Sequence, residues 1–405
     1  MSKSLLYHGL GVRGYEYYHV KYVKGRVVFG IRRPPERWVC VVCGSADVIG
    51  RGTVEREFRT VPLGRKQVLL GLPVQRLGCR SCGAVRQERI DFAEPKKHYT
   101  RIFERYVVEL SRRMTMKDVA DHLGLSWNTV KEIQKTNLQR RFAKPRLKEL
   151  KVLAIDEIAL DKGHRYLTLV VDWMTGRVVY TGDGKGADAL KGFWKRLRSS
   201  HARIEAVAMD LSPAYRNAVS QHLPKAAIVF DRFHVIKLFN EKLADLRRDL
   251  QKDAELSLES RTVLKGVRWL LLKRPDNLDP KKNEKQRLQE ALQLNQPLAT
   301  AYYMKEDLCT LWDCPSKAEA RKQLSDWIAR ANASGIPMLQ KFAKTLAAHR
   351  SGILAYYDYA LSTGPLEGLN NKIRTMNRQA YGFRDHEFRK LRILALHETK
   401  YALIG

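Results

Sequence analysis

Lys151-Val-Leu-Ala-Ile-Asp156 is a short, mostly apolar run that ends in a carboxylate, and the same pattern returns in Ile204-Glu-Ala-Val-Ala-Met-Asp210. Runs of this length, rich in Val, Ile and Leu, suit central strands covered on both faces. Each therefore reads as a buried strand that delivers an aspartate at its C-terminal end, where open α/β sheets place their chemistry. Between the two aspartates lie Arg165-Tyr-Leu-Thr-Leu-Val-Val-Asp172, a Met174-Thr175-Gly176 turn and Arg177-Val-Val-Tyr-Thr181, the pattern of a β-hairpin. Leu190, Phe193, Trp194 and Leu197 recur at spacings of three and four and predict a helix over 187–198. A further helix over 213–223 and a strand over 226–230 complete the order strand, hairpin, helix, strand, helix, strand.

A third acid sits far downstream in Ser362-Thr-Gly-Pro-Leu-Glu367-Gly-Leu-Asn370-Asn371-Lys-Ile-Arg374-Thr-Met-Asn-Arg378. Pro365 suits the first turn of a helix, and Glu367 then shares a face with Asn370, Asn371 and Arg374, three, four and seven residues on. One helix can thus offer a metal ligand, amides and a phosphate-binding guanidinium, with Arg378 following. Breaking and joining phosphodiesters uses two divalent metals about 4 Å apart, and Mg²⁺ prefers hard carboxylate oxygens. Three acids converging from separate elements suit that cage. A single aspartate at a strand end is unremarkable, and a lone amphipathic helix is commonly just a surface helix; two such strands with a later matching glutamate argue for a site.

The element order resembles the ribonuclease H-like core shared by retroviral integrases and DDE transposases. Thr363-Gly-Pro-Leu-Glu-Gly-Leu-Asn-Asn-Lys-Ile-Arg374, followed by Arg378-Gln-Ala-Tyr-Gly-Phe-Arg384, resembles the signature of the ISL-three family of bacterial insertion-sequence transposases. That resemblance implies that Asp156, Asp210 and Glu367 bind two Mg²⁺ or Mn²⁺ ions. It also implies that water attacks at the transposon end and that the freed 3′-hydroxyl then attacks target DNA. Asp231-Arg-Phe-His234 resembles an aspartate-x-x-histidine element found after the last core strand in several DDE groups, which makes Asp231 and His234 auxiliary residues; without it, a histidine there would read as a capping residue. Glu157 and Asp161 are rivals by proximity to Asp156, but neighbouring strand residues face opposite ways, so Glu157 should not share its site. Asp172 reads as a strand-end bystander or an auxiliary acid.

At 405 residues the chain can hold two or three domains. Its net charge of +31 favours a polyanionic partner, nucleic acid before membrane. No run of 18 apolar residues occurs, and Met-Ser-Lys-Ser-Leu-Leu-Tyr-His has no sustained apolar segment of the kind a signal peptide needs. The expectation is a cytoplasmic, nucleoid-associated bacterial protein with reduced thiols.

Cys40-Val-Val-Cys43-Gly and Cys79-Arg-Ser-Cys82-Gly are paired Cys-x-x-Cys-Gly turns, which predict one structural Zn²⁺ in a closed tetrahedron of thiolates. Strand character over 54–61 and 66–77 suggests a hairpin between them. Residues 1–150 carry 31 Lys and Arg against 14 Asp and Glu, so 17 of the surplus charge lies here and suggests phosphate contacts. Next, 116–133 fits a helix-turn-helix: Ala120 lets the helices approach, Gly124 turns, Ser126 caps, and Val130 with Ile133 packs. Its second helix is expected to expose Trp127, Asn128, Lys131 and Gln134 to a major groove.

Helical patterns over 261–272, 284–294, 297–311, 318–331 and 338–349 predict an all-α insertion, in which Trp269, Trp312 and Trp327 read as core, and an apolar helix is expected over 388–403. The fold class expected is multidomain α+β. A zinc-binding module spans 1–97, a helix-turn-helix domain 98–146, an RNase H-like α/β core 147–251, the all-α insertion 252–361, and the final catalytic helix with the C-terminal helix 362–405. The function expected is a DDE transposase acting on double-stranded DNA, both transposon ends and target, as a homodimer or higher oligomer and with no membrane partner. The alternatives are a catalytically silent DNA-binding regulator and an RNase H-like nuclease without strand transfer.

Overall fold

The computed structural model describes residues 3–161, 165–252, 257–361 and 364–398. They form two compact units that divide after Arg141, Glu398 belonging with the first.

In the first unit, α1 (Lys3–His8) precedes a five-stranded mixed sheet. Its strands are β1 (Glu16–Val23), β2 (Arg26–Arg32), β3 (Val48–Leu63), β4 (Lys66–Cys79) and β5 (Val85–Gln87), in the order β1-β2-β4-β3 with β5 on β4. β1 and β2 form a hairpin around Lys24 and Gly25, both at positive φ as a tight primed turn requires. β3 and β4 form a longer hairpin around Gly64. Period-two burial explains β4: Val68, Leu70, Leu72 and Val74 are at most 1% exposed, and the last three share a core with Phe58, Ile31 and Phe92.

Three helices follow, α2 (Arg101–Leu110), α3 (Met116–Leu123) and α4 (Trp127–Phe142). Thr115 and Asp118 form a reciprocal capping box at the start of α3, and Gly124 ends it in the left-handed region. Ser126 Oγ accepts the Thr129 amide at 3.1 Å, which caps α4. Phe103, Val107, Val119, Ala120, Leu123, Val130 and Ile133 fill the space between them.

The second unit is built on a five-stranded sheet of order β10-β9-β6-β7-β8. These strands are β6 (Val152–Asp161), β7 (Arg165–Asp172), β8 (Arg177–Asp183), β9 (Ala206–Met209) and β10 (Ala227–Phe230). β6, β9 and β10 run parallel, and β7 is antiparallel to both β6 and β8. β6 continues past Asp156, where the sequence suggested an end, because its pairing with β7 persists to Asp161 while its pairing with β9 stops at Ala154. A 3₁₀ turn Ala187–Leu190 leads into α5 (Lys191–Ser200); α6 (Pro213–His222) and α7 (Arg232–Gln251) follow β9 and β10.

An all-helical stretch comes next: α8 (Leu258–Gly266), α9 (Glu284–Leu294), α10 (Gln296–Cys309), α11 (Lys317–Ala333), α12 (Pro337–Ala348), α13 (Arg350–Leu354) and α14 (Tyr356–Tyr359). Trp327 and Trp312 are buried as expected. Trp269 is not: it is 64% exposed, with the Arg268 guanidinium 4.7 Å over its ring. The helix expected over 261–272 stops at Gly266, and the 3₁₀ turn Leu270–Leu272 gives the buried side to Leu270 and Leu271 instead. α15 (Gly364–Gln379) and α16 (His386–Leu394) close the unit. Of the residues expected in an apolar terminal helix, those after 398 lie outside the described residues, as do Ser362 and Thr363 at the head of the Glu367 motif.

Candidate active site and metal centre

The strand register lines up three aspartates. Ala154 pairs with Ala208 across the parallel β6/β9 ladder, so Asp156 and Asp210 each follow two residues beyond a matched pair. Met209 likewise pairs with Phe230 of β10, which sets Asp231 beside Asp210. All three stand in one row at the end of the parallel strands. Asp231 is buried, and His234 follows within the first turn of α7.

Asp156 is held from two directions. Its Oδ1 accepts the Glu157 amide at 2.8 Å, and its Oδ2 accepts Asn370 Nδ2 at 2.6 Å. The second bond joins α15 to β6 and closes 214 residues of chain onto one carboxylate. Burial raises the Asp156 pKa, and the negative charge of Asp210 adds to the rise, against Asn370, the Glu157 amide and His234, which all favour the ionised form. Asp210 Oδ1 accepts the Ser212 amide at 3.0 Å. Two carboxylates near enough to oppose each other's ionisation, with hard oxygen donors, fit a divalent cation that would relieve the repulsion.

Glu367 is exposed on α15, one turn before Asn370, and Asn371, Arg374 and Arg378 are also exposed on that helix. Arg374 reaches back to Asn371 Oδ1 at 3.4 Å. Glu367 does not close a tight cage with the aspartates: among the described residues, only four cysteines bring three or more ligand atoms within 4.8 Å of one another.

Glu157 faces away from Asp156, as alternation requires. Its Oε1 accepts the Tyr215 hydroxyl at 2.6 Å, and that hydroxyl also meets Thr168 Oγ1 at 2.9 Å and accepts the Gly186 amide at 3.0 Å. This network on the opposite face was not legible in the sequence, because Tyr215 reads as an ordinary helix-face aromatic. Neither was Arg389. It is 2% exposed and donates to the Leu160 carbonyl at 2.8 Å and to Asn377 Oδ1 at 3.1 Å, tying α16 and α15 to β6. Asp172 caps its own turn, accepting Thr175 Oγ1 and the Met174 amide.

The four cysteines form the second centre. Cys40 Sγ lies 3.7 Å from Cys82 Sγ and Cys43 Sγ 3.6 Å from Cys79 Sγ. Each Cys-x-x-Cys turn closes alike: the Gly44 amide donates to the Cys40 carbonyl and the Gly83 amide to that of Cys79, both glycines at positive φ. The backbone amides of Cys43 and Val42 hold the Cys40 thiol down at about 6. Cys82 moves the other way: a bond from the Ala84 backbone favours its thiolate, but Cys43, burial, Cys79 and Cys40 push it up to about 12. Four sulfurs at this spacing cannot all ionise without a cation among them, and tetrahedral Zn²⁺ matches the donor set.

In the helix-turn-helix, Trp127 and Asn128 are exposed at the start of α4, and Lys131 is half-buried with its Nζ 5.7 Å over the Trp127 ring. Gln134 departs from expectation. It is 4% exposed, because position 134 falls beside Val130 and Ile133 on the packed face of α4, and it does not face a groove.

These arrangements can be set beside known proteins. Residues 153–393 match the family described as Transposase, and residues 88–136 match the helix-turn-helix domain of transposase family ISL3. The chain is 36% identical over 359 residues to the transposase for insertion sequence element IS1001 of Bordetella parapertussis, covering 88% of each. It is 29% identical over 371 residues to the transposase for IS1557 of Mycobacterium tuberculosis, covering 85% of this chain and 82% of that one. The Drosophila P element transposase strand transfer complex superposes with a TM-score of 0.41 at 12% identity, over 73% of this chain and 92% of that one. A helix-turn-helix joined to this catalytic region makes the protein a DNA transposase. More narrowly, the chain belongs to the ISL3 family of insertion-sequence transposases. Among the described residues, no helix is long and apolar enough to cross a membrane.

Proposed function

We propose that this transposase recognises the terminal inverted repeats of its insertion sequence and cleaves and joins DNA at Asp156, Asp210 and Glu367. The observation that carries the reading is the bond from Asn370 to Asp156, which brings the Glu367 helix onto the strand whose aspartate stands level with Asp210. The strand order, with one antiparallel hairpin on a parallel trio, supports an RNase H-like core split by an all-α insertion. The divisions 1–97, 98–146, 147–251, 252–361 and 362–405 follow from that reading.

Two Mg²⁺ or Mn²⁺ ions held by Asp156, Asp210 and Glu367 would supply activation of the attacking oxygen and stabilisation of the leaving oxygen. The chain's own residues do the rest. Glu157 N–H and Asn370 fix both oxygens of Asp156, and the Ser212 amide fixes one of Asp210. Arg374 and Arg378, exposed along α15, bind phosphates on either side of the scissile bond, with Asn371 beside them. Asp231 and His234 orient this end of the sheet from the opposite side. Trp127, Asn128 and Lys131 read the repeat, one Zn²⁺ on Cys40, Cys43, Cys79 and Cys82 holds the N-terminal hairpin, and the active assembly is a homodimer or larger on DNA.

The test is a cleavage and strand-transfer assay, with Mg²⁺ or Mn²⁺, on a duplex carrying the flanking inverted repeat. Wild type should nick at the repeat boundary and join that end to target, while Glu367→Gln binds without cutting. Binding without cutting by both would mark a DNA-binding relative, and cutting without joining a nuclease.

A further inference from the structure

The two hairpin tips of the N-terminal sheet meet in space, and their charges are one-signed. β2 and β4 pair in parallel with Val27 opposite Val68, so the β1/β2 turn at Lys24-Gly25 ends beside the β3/β4 turn at Gly64-Arg65. Lys66 Nζ sits 5.9 Å over the ring of Tyr22, a residue 73% exposed, which joins the tips directly. Lys21, Lys24, Arg26, Arg65 and Lys66 are all exposed here. None of the five makes an ion pair with an acid among the described residues, and no Asp or Glu occurs in 17–32 or 58–87. A solvated face on a protein ordinarily mixes both signs; a concentration of one sign repels itself and favours a polyanion.

The patch also has a direction. Arg59, on β3 opposite Leu69, donates to the carbonyls of Leu123 and Gly124, the end of α3 and the turn of the helix-turn-helix. Arg26 adds its charge to the burial that lowers the Arg59 pKa, so the tip cations extend up to that residue. Gln67 Nε2 lies 3.2 Å from the point where a side chain on Gly124 would begin. The turn into α4, with exposed Trp127 next to it, therefore abuts the paired tips.

We propose that the paired tips are a second DNA-contacting surface, which grips the phosphate backbone beside the groove entered by α4 and extends the helix-turn-helix footprint on one side. The zinc centre lies at the far end of the same β3/β4 hairpin, where Val48 pairs with Cys79, so its role is to stiffen the lever rather than to touch DNA. The inference rests on the helix-turn-helix binding DNA, and backbone contacts of this kind add affinity without sequence preference.

The experiment measures binding of the full chain to a duplex carrying its terminal repeat and to a scrambled duplex of equal length, across about 50 to 200 mM salt. The variant is Lys24→Gln/Arg26→Gln/Arg65→Gln/Lys66→Gln. Its zinc content and melting temperature should match wild type, because all four side chains are exposed. Its slope of log affinity against log salt should shrink by about 3 to 4, at about 0.9 for each phosphate that is no longer neutralised. Affinity should fall by the same factor on both duplexes, and backbone protection should disappear from one flank only. A wild-type slope and footprint in this variant would overturn the proposal. Trp127→Ala/Asn128→Ala serves as the control: it should erase the preference for the repeat and keep the slope. If wild type shows no such preference, repeat recognition by α4 fails, while the slope still decides the tip surface.

Discussion

Arg389 is the most economical place to break the proposed active site from a distance. The side chain is 2% exposed, and it donates to the Leu160 carbonyl at 2.8 Å and to Asn377 Oδ1 at 3.1 Å. The first acceptor lies on the strand that carries Asp156, the second on the helix that carries Glu367 and Asn370. Truncation in Arg389→Ala removes two charge-assisted hydrogen bonds, each worth about 1.5–3 kcal/mol, and leaves the Leu160 carbonyl buried with a partner missing. The expected loss is about 3–5 kcal/mol, within the range for breaking a buried polar network. For a unit of this size each kcal/mol moves the midpoint by about 2–4 °C, so thermal unfolding of the second unit should drop by about 10 °C. Hydrogen exchange should quicken in α15 and α16 before the sheet. Below the new midpoint, duplex binding should survive while cleavage and joining fall by at least tenfold, because α15 no longer seats Asn370 on Asp156. A variant that melts within about 2 °C of wild type and still joins DNA normally would refute the strut.

Other perturbations separate the remaining parts. Asn370→Ala should lower cleavage by about 10- to 100-fold with binding intact, the usual cost of losing a group that orients a ligand carboxylate; unchanged cleavage rates would show that the bond to Asp156 is idle. Chelation of zinc, or Cys43→Ser, should speed amide exchange across the N-terminal hairpin and leave 147–397 protected, and unchanged exchange there would remove the structural role. Tyr215→Phe should cost about 1–3 kcal/mol, because Glu157, Thr168 and the Gly186 amide lose their shared partner; calorimetry with no shift would contradict the network. Asp183 holds His386 at 2.6 Å and Lys390 at 2.5 Å, and although burial opposes ionisation, these two partners keep its pKa below the ordinary 3.8. A depressed carboxylate stabilises above its unfolded pKa and loses that contribution as pH falls through the folded value. The melting gap between wild type and Asp183→Asn should therefore be constant near neutral pH and close below about pH 4; a gap that widens in acid would reverse the assignment.

Much of the fold was legible because local pattern and tertiary demand agree. The apolar runs at 152–155 and 206–209 are buried on both faces, so nothing in their environment overrides the strand reading. The two Cys-x-x-Cys-Gly turns carry their geometry in five residues each. The failures have a common cause. A helix read by itself turns Gln134 outward and, if it ran to 272, would leave Trp269 in the core, but exposure is decided by neighbours: α4 packs the Gln134 side inward, and a helix that ends at Gly266 lets Trp269 swing out. Arg389 was invisible for the converse reason. A charged residue inside an amphipathic helix reads as surface, and bonds such as that to a carbonyl 229 residues away, which no local pattern shows, make it core.

The row of aspartates shows why two strands sufficed to suggest a site that neither contains alone. A parallel pair in register places equal offsets side by side, so once Ala154 meets Ala208 the aspartates two residues beyond must stand level. β10 then adds Asp231 through Phe230 opposite Met209, without any further adjustment. Because side chains alternate, each residue next to such an aspartate faces the other way, and Glu157 in the Tyr215 network is the result. Moving Asp156 by one position would exchange those two environments. The double variant Asp156→Glu/Glu157→Asp, which keeps total charge, is therefore a test of register rather than of composition. It lengthens the side chain in the aspartate row by one methylene and shortens the one that meets Tyr215, and should lose cleavage together with stability. Single Glu157→Asp should lose stability alone, and a single variant that abolished cleavage at full stability would place Glu157 in the site.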